Sequence, residues 1–292
     1  MRILVTGSTG QLGFEVLRAF SQSGHEIIAP VHRELDFLHP QEVAARVRHS
    51  QADWVINCAA YTQVDRAESE VEQAFVINRD SPAQIAAAVA GYGGRLLHVS
   101  TDFVFDGKQS RPYREEDDAR PLGVYGRSKW EGEQAVRAAL PEAVILRTAW
   151  VYGVHGHNFV KTILRVARQG KPLRVVDDQS GSPTWARDIA GAIRDLIQNQ
   201  AKGTYHYTDA GSTSWHGFAT AILAGATEAG FSLKTDSIEA IPTSGYPTPA
   251  RRPAYSVLDT GKIQSLLTAP IPHWRDSLNT MLKELQTCAD CW

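Results

Sequence analysis

The chain has 292 residues, of which 43% are hydrophobic and 21% are charged, and its formal net charge is −2 at pH 7. These values are ordinary for a globular protein, and the length allows one or two domains. The small net charge gives no electrostatic reason to expect nucleic acid or an anionic membrane as a partner.

Short apolar strand patterns alternate with helical patterns over the first half of the chain. Strands are predicted at 2–6, 25–30, 53–57, 95–100 and 143–152, and helices at 11–20, 40–49, about 68–79 and 125–140. This alternation predicts right-handed crossovers and therefore an α/β fold with a Rossmann-type, doubly wound parallel sheet. We expect residues 1–150 to form a dinucleotide-binding domain around that sheet.

The alternation becomes less regular after about residue 150. Turn-forming residues accumulate there, as in QSGSPT (179–184) and PTSGYPTPARRP (242–253). We expect residues 151–292 to form mainly a smaller, C-terminal substrate-binding domain, with segments near 174–207 returning to the main sheet. Ligands of doubly wound sheets bind beyond the carboxyl ends of the strands, so the residues directly after each strand are the candidate site.

The cysteines and the apolar runs bear on the cellular compartment. Three cysteines are too few for a disulfide framework, and Cys288 and Cys291 form a C-x-x-C without the second half of a zinc site. The N-terminal residues contain no apolar stretch long enough for a signal peptide, and the most apolar run, 85–91, is too short to span a bilayer. We therefore expect a cytoplasmic enzyme.

Three glycines follow the first predicted strand and lead into the first helix, at Gly7, Gly10 and Gly13. Their spacing differs from the common G-x-G-x-x-G, but the physical requirements are the same. Gly7 permits a tight turn, Gly10 lets the backbone approach a pyrophosphate, and Gly13 allows close helix packing. The N–H groups at the start of the helix then face the phosphates, so this turn predicts dinucleotide binding.

The end of the second predicted strand selects between the two nicotinamide cofactors. An NADH site usually has an acidic side chain there, which binds the ribose 2′-hydroxyl. Here Arg33 comes before the first acid, Glu34, and can receive the 2′-phosphate of NADPH. We expect NADPH to be preferred. The alternative is that Arg33 is a solvated loop charge and that Glu34 or the backbone holds NADH.

A hydroxyl, a phenol and an ammonium group are predicted to converge beside the nicotinamide. Thr101 lies at the end of the fourth strand, and Tyr125 and Lys129 are one turn apart on the helix that follows. Tyrosine is protonated at pH 7 and can donate a proton to a developing alkoxide, while Lys129 stabilises the resulting phenolate. Thr101 can hydrogen-bond the same oxygen. The set indicates a proton relay for carbonyl reduction.

Seven segments, in order over residues 2–260, resemble the extended short-chain dehydrogenase/reductases and, within them, the dTDP-4-dehydrorhamnose reductase family. They are TGSTGQLG (6–13), NCAAYTQVDRAESE (57–70), STDFVFDG (100–107), VYGRSKWEGE (124–133), RTAWVYG (147–153) followed by NF (158–159), DDQSGSPT (177–184) and YPTPARRP (246–253). The resemblance implies that NAD(P)H reduces the C4 ketone of a dTDP-linked 4-keto-6-deoxy sugar, converting dTDP-4-dehydro-L-rhamnose to dTDP-L-rhamnose.

The same resemblance implies a role for individual side chains. Tyr125 is the proton donor, Lys129 is its partner and a ribose ligand, and Thr101 contacts the substrate oxygen. The implied dinucleotide contacts are Gln11, Leu12, Asp36, Phe37, Ala59, Ala60 and Tyr61. The implied nucleotide-sugar contacts are Thr101, Asp102 and Trp150, with Arg252 as a candidate for the substrate pyrophosphate.

Three of these implied substrate residues have plain structural alternatives. Trp150 ends an apolar strand and could belong to the core, and Asp102 could cap the following turn. Arg252 could form a structural ion pair instead of a bidentate contact with a pyrophosphate.

One position departs from the family. By the resemblance, some relatives hold magnesium with acidic side chains at a subunit contact. Glu15 matches such a ligand, but Arg187 stands where an acid is expected. This speaks against magnesium and against a dimer built through it. A homodimer formed by apolar packing, or by ion pairs that include Arg187 and Glu15, stays open.

Several related functions compete with reduction. Nucleotide-sugar dehydratases have a pair of acids after the hydroxyl residue, whereas here Phe103 follows Asp102. A nucleotide-sugar 4-epimerase, a related 4-keto reductase and a cofactor-binding regulatory subunit are the remaining alternatives. Consumption of cofactor in proportion to product separates a reductase from an epimerase.

Overall fold

The computed structural model of the protein describes residues 1–22, 24–235 and 237–288, so Cys291 of the C-x-x-C lies outside it. The helices are α1 (Gln11–Phe20), α2 (Pro40–Ser50), α3 (Val64–Ala67), α4 (Val71–Phe75), α5 (Ser81–Tyr92), α6 (Val124–Ala139), α7 (Phe159–Gln169), α8 (Ala186–Gln198), α9 (Trp215–Glu228), α10 (Gly261–Gln264) and α11 (Trp274–Thr287). The strands are β1 (Arg2–Thr6), β2 (Glu26–Ile28), β3 (Trp54–Asn57), β4 (Arg95–Thr101), β5 (Val144–Thr148), β6 (Val151–Tyr152), β7 (Leu173–Val176), β8 (Ser180–Gly181), β9 (Thr184–Trp185), β10 (Gly203–His206), β11 (Thr213–Ser214) and β12 (Ile238–Ile241).

Six parallel strands form the central sheet, in the order β2-β1-β3-β4-β5-β10. The chain runs from β1 to one edge and then returns to build the other side, so a crevice opens between β1 and β3 at their carboxyl ends. The register brings Thr6 beside Asn57 and Thr101 beside Thr148 at this edge. The predicted α/β fold with a Rossmann-type, doubly wound sheet is confirmed.

Apolar side chains cover both faces of the sheet. On β1, Ile3 and Val5 pack against α1 and α8, while Leu4 faces α2 and α5. Successive strand residues point to opposite faces, so burial on both sides explains why the strands are almost continuously apolar. The helices on the two faces hold the strand ends at fixed positions around the crevice.

A second buried cluster lies among α7, α9 and α11 in the C-terminal part of the chain. Three small ladders accompany it: β6 with β9, β7 with β12, and the antiparallel pair β8 and β11. Helix α8 and strand β10, by contrast, belong to the main sheet and its core. Within the described residues, none of the helices is long and apolar enough to cross a membrane.

Candidate active site

A cleft of about 870 Å³ lies at the carboxyl ends of β1, β3, β4 and β5. All but one of the residues predicted for the site line it. They are Gly7, Gly10, Gln11, Leu12, Gly13, Asp36, Phe37, Ala59, Ala60, Tyr61, Thr101, Asp102, Tyr125, Lys129, Trp150 and Arg252. The fold therefore brings residues from nearly the whole predicted set to one surface.

The glycine-rich turn joins β1 to α1 with very little space around it. Gly7 adopts the left-handed region (φ 67°), and an added Cβ would lie 2.6 Å from the backbone nitrogen of Ala59. An added Cβ at Gly13 would lie 2.7 Å from the carbonyl carbon of Gly7, so the helix can approach the turn only because both residues are glycine. Gly10, at the N-cap of α1, leaves the first N–H groups of the helix facing the cleft.

The turn after β2 places its charges differently from the sequence expectation. Arg33 lies in an exposed turn of 3-10 helix, His32–Glu34, and is the predicted residue that does not line the cleft, whereas its neighbour His32 does. The Glu34 carboxylate folds back and accepts a hydrogen bond from the N–H of Val31 at 3.1 Å. Glu34 is thereby engaged within its own turn.

Tyr125 and Asp102 face the cleft at the end of β4, and both are perturbed by burial. Burial raises the pKa of the Tyr125 phenol to about 12; the neighbouring Thr101 hydroxyl lowers it in part and the Asp102 carboxylate adds to the rise. Burial also raises the pKa of Asp102 to about 6, although hydrogen bonds with the hydroxyls of Ser256 and Thr101 lower it in part. Tyr125 is therefore a phenol, able to donate a proton, over the whole neutral range.

Asp102 follows the residue that caps the turn after β4, Thr101, whose hydroxyl accepts from the N–H of Phe103 at 3.3 Å. Asp102 begins the 3-10 turn Asp102–Val104, and its Oδ1 accepts a hydrogen bond from the Thr101 hydroxyl at 3.1 Å. It is also buried and lines the cleft beside Tyr125. A buried carboxyl group in a cleft, with a pKa near neutrality, is typical of a functional site.

Lys129 lies one turn after Tyr125 on α6 and is buried under the cleft. Its Nζ donates a hydrogen bond to the carbonyl oxygen of Val99 at 2.7 Å. Burial lowers the pKa of Lys129 to about 8, while the charge of Glu133 opposes the fall. The ammonium has three donors, so the bond to Val99 orients it and leaves donors for the cleft.

Asn78, which the sequence reading did not single out, connects two walls of the cleft. It lies in a π-helical turn, Val76–Asp80, between α4 and α5 and is fully buried. Its side chain accepts from the N–H of Tyr61 at 2.9 Å and donates to the carbonyl of Tyr61 and to the hydroxyl of Ser128, both at 3.0 Å. Ser128 lies between Tyr125 and Lys129, so one amide fixes the loop after β3 against the helix that carries both.

An aromatic wall closes the C-terminal side of the cleft. Trp150 stacks on Trp215 with ring centroids 3.6 Å apart and an interplanar angle of 6°, and Phe159 packs against Trp215 at 4.7 Å. Trp150 has φ 47°, a left-handed conformation that costs a bulky residue on the order of 1–3 kcal/mol. The sequence analysis singled out Trp150 but missed Trp215. Only the fold brings the Trp215 indole, which comes much later in the chain, onto Trp150.

Arg252 lines the cleft but is held in an ion pair. Its Nη1 and Nη2 donate to the two carboxylate oxygens of Asp65 at 3.0 and 2.7 Å, and Nη1 also donates to the Thr248 hydroxyl. The guanidinium holds the pKa of Asp65 below its ordinary value. The structural alternative therefore describes Arg252 in this structure, and it ties the loop 242–253 to α3.

Arg187 stands where the resemblance places an acid, and its contacts do not fit a magnesium site. Its Nε lies 3.4 Å from Oε2 of the buried Glu15, and its Nη2 donates to Glu284. Arg18 also pairs with Glu284, at 2.8 Å. The guanidinium groups of Arg18 and Arg187 thus pair with the carboxylates that a metal ion would need as ligands. A guanidinium has no lone pair to give to a metal.

The doubly wound sheet, the glycine turn after β1 and the Tyr-x-x-x-Lys helix beside the end of β4 together define a short-chain dehydrogenase/reductase. The family model described as the RmlD substrate binding domain matches residues 1–287. A dTDP-4-dehydrorhamnose reductase of Burkholderia thailandensis is 41% identical, with 98% of this chain and 99% of the relative covered. The chain therefore belongs to the dTDP-4-dehydrorhamnose reductase family.

Solved structures agree with this assignment. A dTDP-4-dehydrorhamnose reductase from Clostridium acetobutylicum superposes with a TM-score of 0.92 at 36% identity, covering 98% of this chain and 100% of that chain. A dTDP-4-dehydrorhamnose reductase from Bacillus anthracis, solved in complex with NADP, gives a TM-score of 0.91 at 34% identity, covering 97% and 99%.

Proposed function

We propose that the protein reduces the C4 ketone of dTDP-4-dehydro-L-rhamnose with NADPH and forms dTDP-L-rhamnose. The observation that carries the proposal is the meeting of Thr101, Tyr125 and Lys129 in the cleft that also holds the glycine turn. Membership of the dTDP-4-dehydrorhamnose reductase family supplies the substrate class.

Bound NADPH supplies a hydride to the carbonyl carbon of the sugar. In our proposal, the Tyr125 phenol donates its proton to the carbonyl oxygen, so the ketone gains one hydride and one proton and becomes a secondary alcohol. The Thr101 hydroxyl, which donates its single hydrogen bond to Asp102 in the protein alone, turns to that oxygen and holds it in place. The developing phenolate is stabilised by the Lys129 ammonium, which the carbonyl of Val99 already orients. No metal is needed for this sequence of steps.

Two observations support the choice of NADPH. The Bacillus anthracis relative was solved with NADP, and the exposed Arg33 lies in the turn next to the cleft-lining His32. NADH stays a second possible cofactor. Phe159 and Trp215 of the aromatic wall support residues 151–292 as the main substrate-binding part, with a dTDP-linked 4-keto-6-deoxy sugar as the partner.

The structure also bears on the rival reactions. Phe103 occupies the position at which a dehydratase has its second acid, and its ring meets that of Tyr125 edge-on with centroids 5.5 Å apart. A phenyl ring cannot act as an acid or base, which favours reduction over dehydration. A 4-epimerase shares the fold, so it is separated from a reductase by the stoichiometry of cofactor consumption.

The deciding experiment follows NADPH oxidation with dTDP-4-dehydro-L-rhamnose and identifies the product. We expect one NADPH consumed per dTDP-L-rhamnose formed. Interconversion of sugars without net oxidation would identify an epimerase. Binding of NADPH without turnover on any keto sugar, together with a stable protein partner, would identify a regulatory subunit. Sedimentation of the same preparation tests whether the protein is a homodimer.

A further inference from the structure

The Trp150 indole packs against two residues, Trp215 and Gly181, that have no role in the proposed reaction steps. Trp215 stacks on one face of the ring at 3.6 Å. Gly181 lies against the Nε1–Cζ2 edge of the same ring, where an added Cβ would approach Nε1 to 2.5 Å and Cζ2 to 2.8 Å. A methyl group does not fit there, so the indole leaves no space beside the backbone of Gly181.

Gly181 and the residue directly before Trp215 belong to the same small ladder, formed by β8 and β11. Gly181 of β8 pairs with Thr213 of β11, and Ser180 pairs with Ser214, the residue directly before Trp215. The Ser214 hydroxyl donates to Asp177 and accepts from the N–H of Gly217, so the start of α9 is fixed to the segment between β7 and β8. Backbone pairing therefore sets the positions of Gly181 and Trp215 relative to each other.

The backbone of Trp150 explains why such a support is needed. Its φ of 47° is unfavourable for a bulky residue, and only the surroundings can hold it there. The carbonyl of Trp150 accepts from the N–H of Thr184 at 3.2 Å, which fixes one end of the residue. The stacked indole of Trp215 and the close approach of Gly181 fix the ring. The left-handed turn directs this ring into the cleft two residues after Thr148, the strand partner of Thr101.

We propose that Trp215 is a positioning residue that, with Gly181, holds the Trp150 indole in the orientation in which it meets the sugar ring of the substrate. The inference rests on the proposed function, since it assigns Trp150 to the nucleotide sugar. It predicts that the support affects the sugar and leaves NADPH unaffected, because both Trp215 and Gly181 contact Trp150, the residue assigned to the sugar.

The test uses Trp215→Leu, Trp215→Phe and Gly181→Ala in the full-length enzyme. Loss of the stack in Trp215→Leu should raise the KM for dTDP-4-dehydro-L-rhamnose roughly 3- to 10-fold, the range expected for one aromatic pair, and leave the Kd for NADPH unchanged. Trp215→Phe keeps a ring on Trp150 and should recover most of the loss. Gly181→Ala keeps both indoles but displaces one of them, and should raise the same KM.

Two control variants separate this effect from general loss of stability. Trp274→Phe removes an indole from the same buried cluster, away from the cleft lining, and Gly191→Ala adds a methyl group in open space on α8. Both should keep the wild-type KM. From the stacking geometry we also expect an exciton couplet between the two indoles in far-ultraviolet circular dichroism, which Trp215→Leu should abolish and Trp274→Phe should retain.

A Trp215→Leu enzyme that has lost the couplet but keeps the sugar KM within twofold of wild type overturns the proposal. Equal losses for the sugar and for NADPH also overturn it. If the wild-type protein itself turns over no dTDP-4-dehydro-L-rhamnose, the proposed function has failed separately. Calorimetric binding of dTDP-L-rhamnose to the same variants then decides whether the support acts on the sugar.

Discussion

Tyr125 has an unusual combination of surroundings for a proton donor. Burial and the Asp102 charge raise the pKa of its phenol to about 12, so the proton is held firmly in the protein alone. We predict that Tyr125→Phe retains its affinity for NADPH but loses about 10²- to 10⁴-fold in kcat, since one proton donor is removed and little else changes. Steady-state NADPH oxidation and NADPH titration measure the two quantities.

Tyr246→Phe provides a matched control, because Tyr246 is 59% exposed and does not line the cleft. It should turn over at the wild-type rate. A Tyr125→Phe enzyme within about threefold of wild type would transfer the proton to another group, with Thr101 the first to test.

The cofactor preference depends on a side chain that lies just outside the cleft. Arg33 is exposed in the turn after β2, within the same three residues as His32. We predict that Arg33→Ala weakens NADPH but not NADH, since a charge-assisted bond to the 2′-phosphate is worth roughly 1.5–3 kcal/mol and only NADPH carries that group. Fluorescence titration with both cofactors measures the difference.

His32→Ala is the companion variant, because His32 lines the cleft. It should weaken the two cofactors alike. A loss specific to NADPH in His32→Ala, with none in Arg33→Ala, would mean that the cleft-lining residue recognises the phosphate and that Arg33 remains in solvent.

At the scale of elements, five of the six strands of the central sheet were predicted from sequence as apolar runs, and β10 was covered by the expectation that segments near 174–207 return to the sheet. The predicted range 2–6 matches β1, and 53–57 differs from β3 by one residue. Local apolar runs bounded by turn residues are sufficient there. Two places were not readable, and in both the reason is a contact between distant parts of the chain.

The first is the predicted strand 143–152, which breaks into β5 and β6 at Trp150. Nothing in AVILRTAWVY indicates a turn; the break depends on Gly181 and Trp215, which come much later in the chain. The second is the helix expected at about 68–79. The chain instead forms α4, the π-helical turn Val76–Asp80 and α5 in succession. The turn lets the buried side chain of Asn78 bond to partners on other elements.

The contact between α6 and the π-helical turn gives a prediction about packing. An added Cβ at Gly132 would collide with the carbonyl oxygen of Asn78, so the helix can lie on the turn only with glycine at this position. We predict that Gly132→Ala lowers the free energy of unfolding by roughly 1–3 kcal/mol, as overpacking usually does, and also weakens NADPH binding by moving Lys129. Urea denaturation and cofactor titration measure these effects.

Gly191→Ala is the matched helical control. Its added methyl group meets nothing within 4 Å, so the better helix propensity of alanine should leave stability unchanged or raise it by up to about 1 kcal/mol. If both substitutions stabilise the protein, the close contact at Gly132 does not exist in solution.

On the scale of the whole molecule, two acids, the buried Asp209 and the half-buried Asp188, join the main sheet to the C-terminal cluster. Asp209 accepts from the N–H of Trp185 at 3.0 Å, and Asp188 accepts from the Ser277 hydroxyl at 2.6 Å. Burial, and then the charge of Asp188, raises the pKa of Asp209 well above its ordinary value of 3.8. The folded protein therefore holds a proton that the unfolded chain releases at lower pH.

This difference sets the sign of a pH dependence. An acid whose pKa is raised by folding contributes its full stability below its unfolded pKa and loses it as pH rises through the folded pKa. We predict that Asp209→Asn, which keeps the acceptor for Trp185 and cannot ionise, is more stable than wild type at pH 8 and that the difference shrinks towards pH 4. Urea denaturation across this range measures it. A difference that does not depend on pH would show that Asp209 is ionised in the folded protein.

The ion cluster of Arg18, Glu15, Arg187 and Glu284 also joins three distant parts of the chain, and it gives a prediction about magnesium. Arg187 bridges Glu15 and Glu284, so the protein carries its own cation at the position where acids would otherwise repel one another. We predict that EDTA leaves the rate of NADPH oxidation unchanged and that added magnesium alters neither activity nor assembly.

Substitution at this one position should reverse that behaviour. Arg187→Glu places a third carboxylate beside Glu15 and Glu284, and like charges at this distance destabilise the fold unless a cation binds them. We expect Arg187→Glu to have a lowered Tm that magnesium restores, whereas Arg187→Gln, which removes the same ion pairs without adding a charge, should be lowered and insensitive to magnesium. Thermal unfolding with EDTA or with magnesium compares the three proteins. Magnesium that raises the Tm of the wild type as much as that of Arg187→Glu would show that other acids form a metal site despite Arg187.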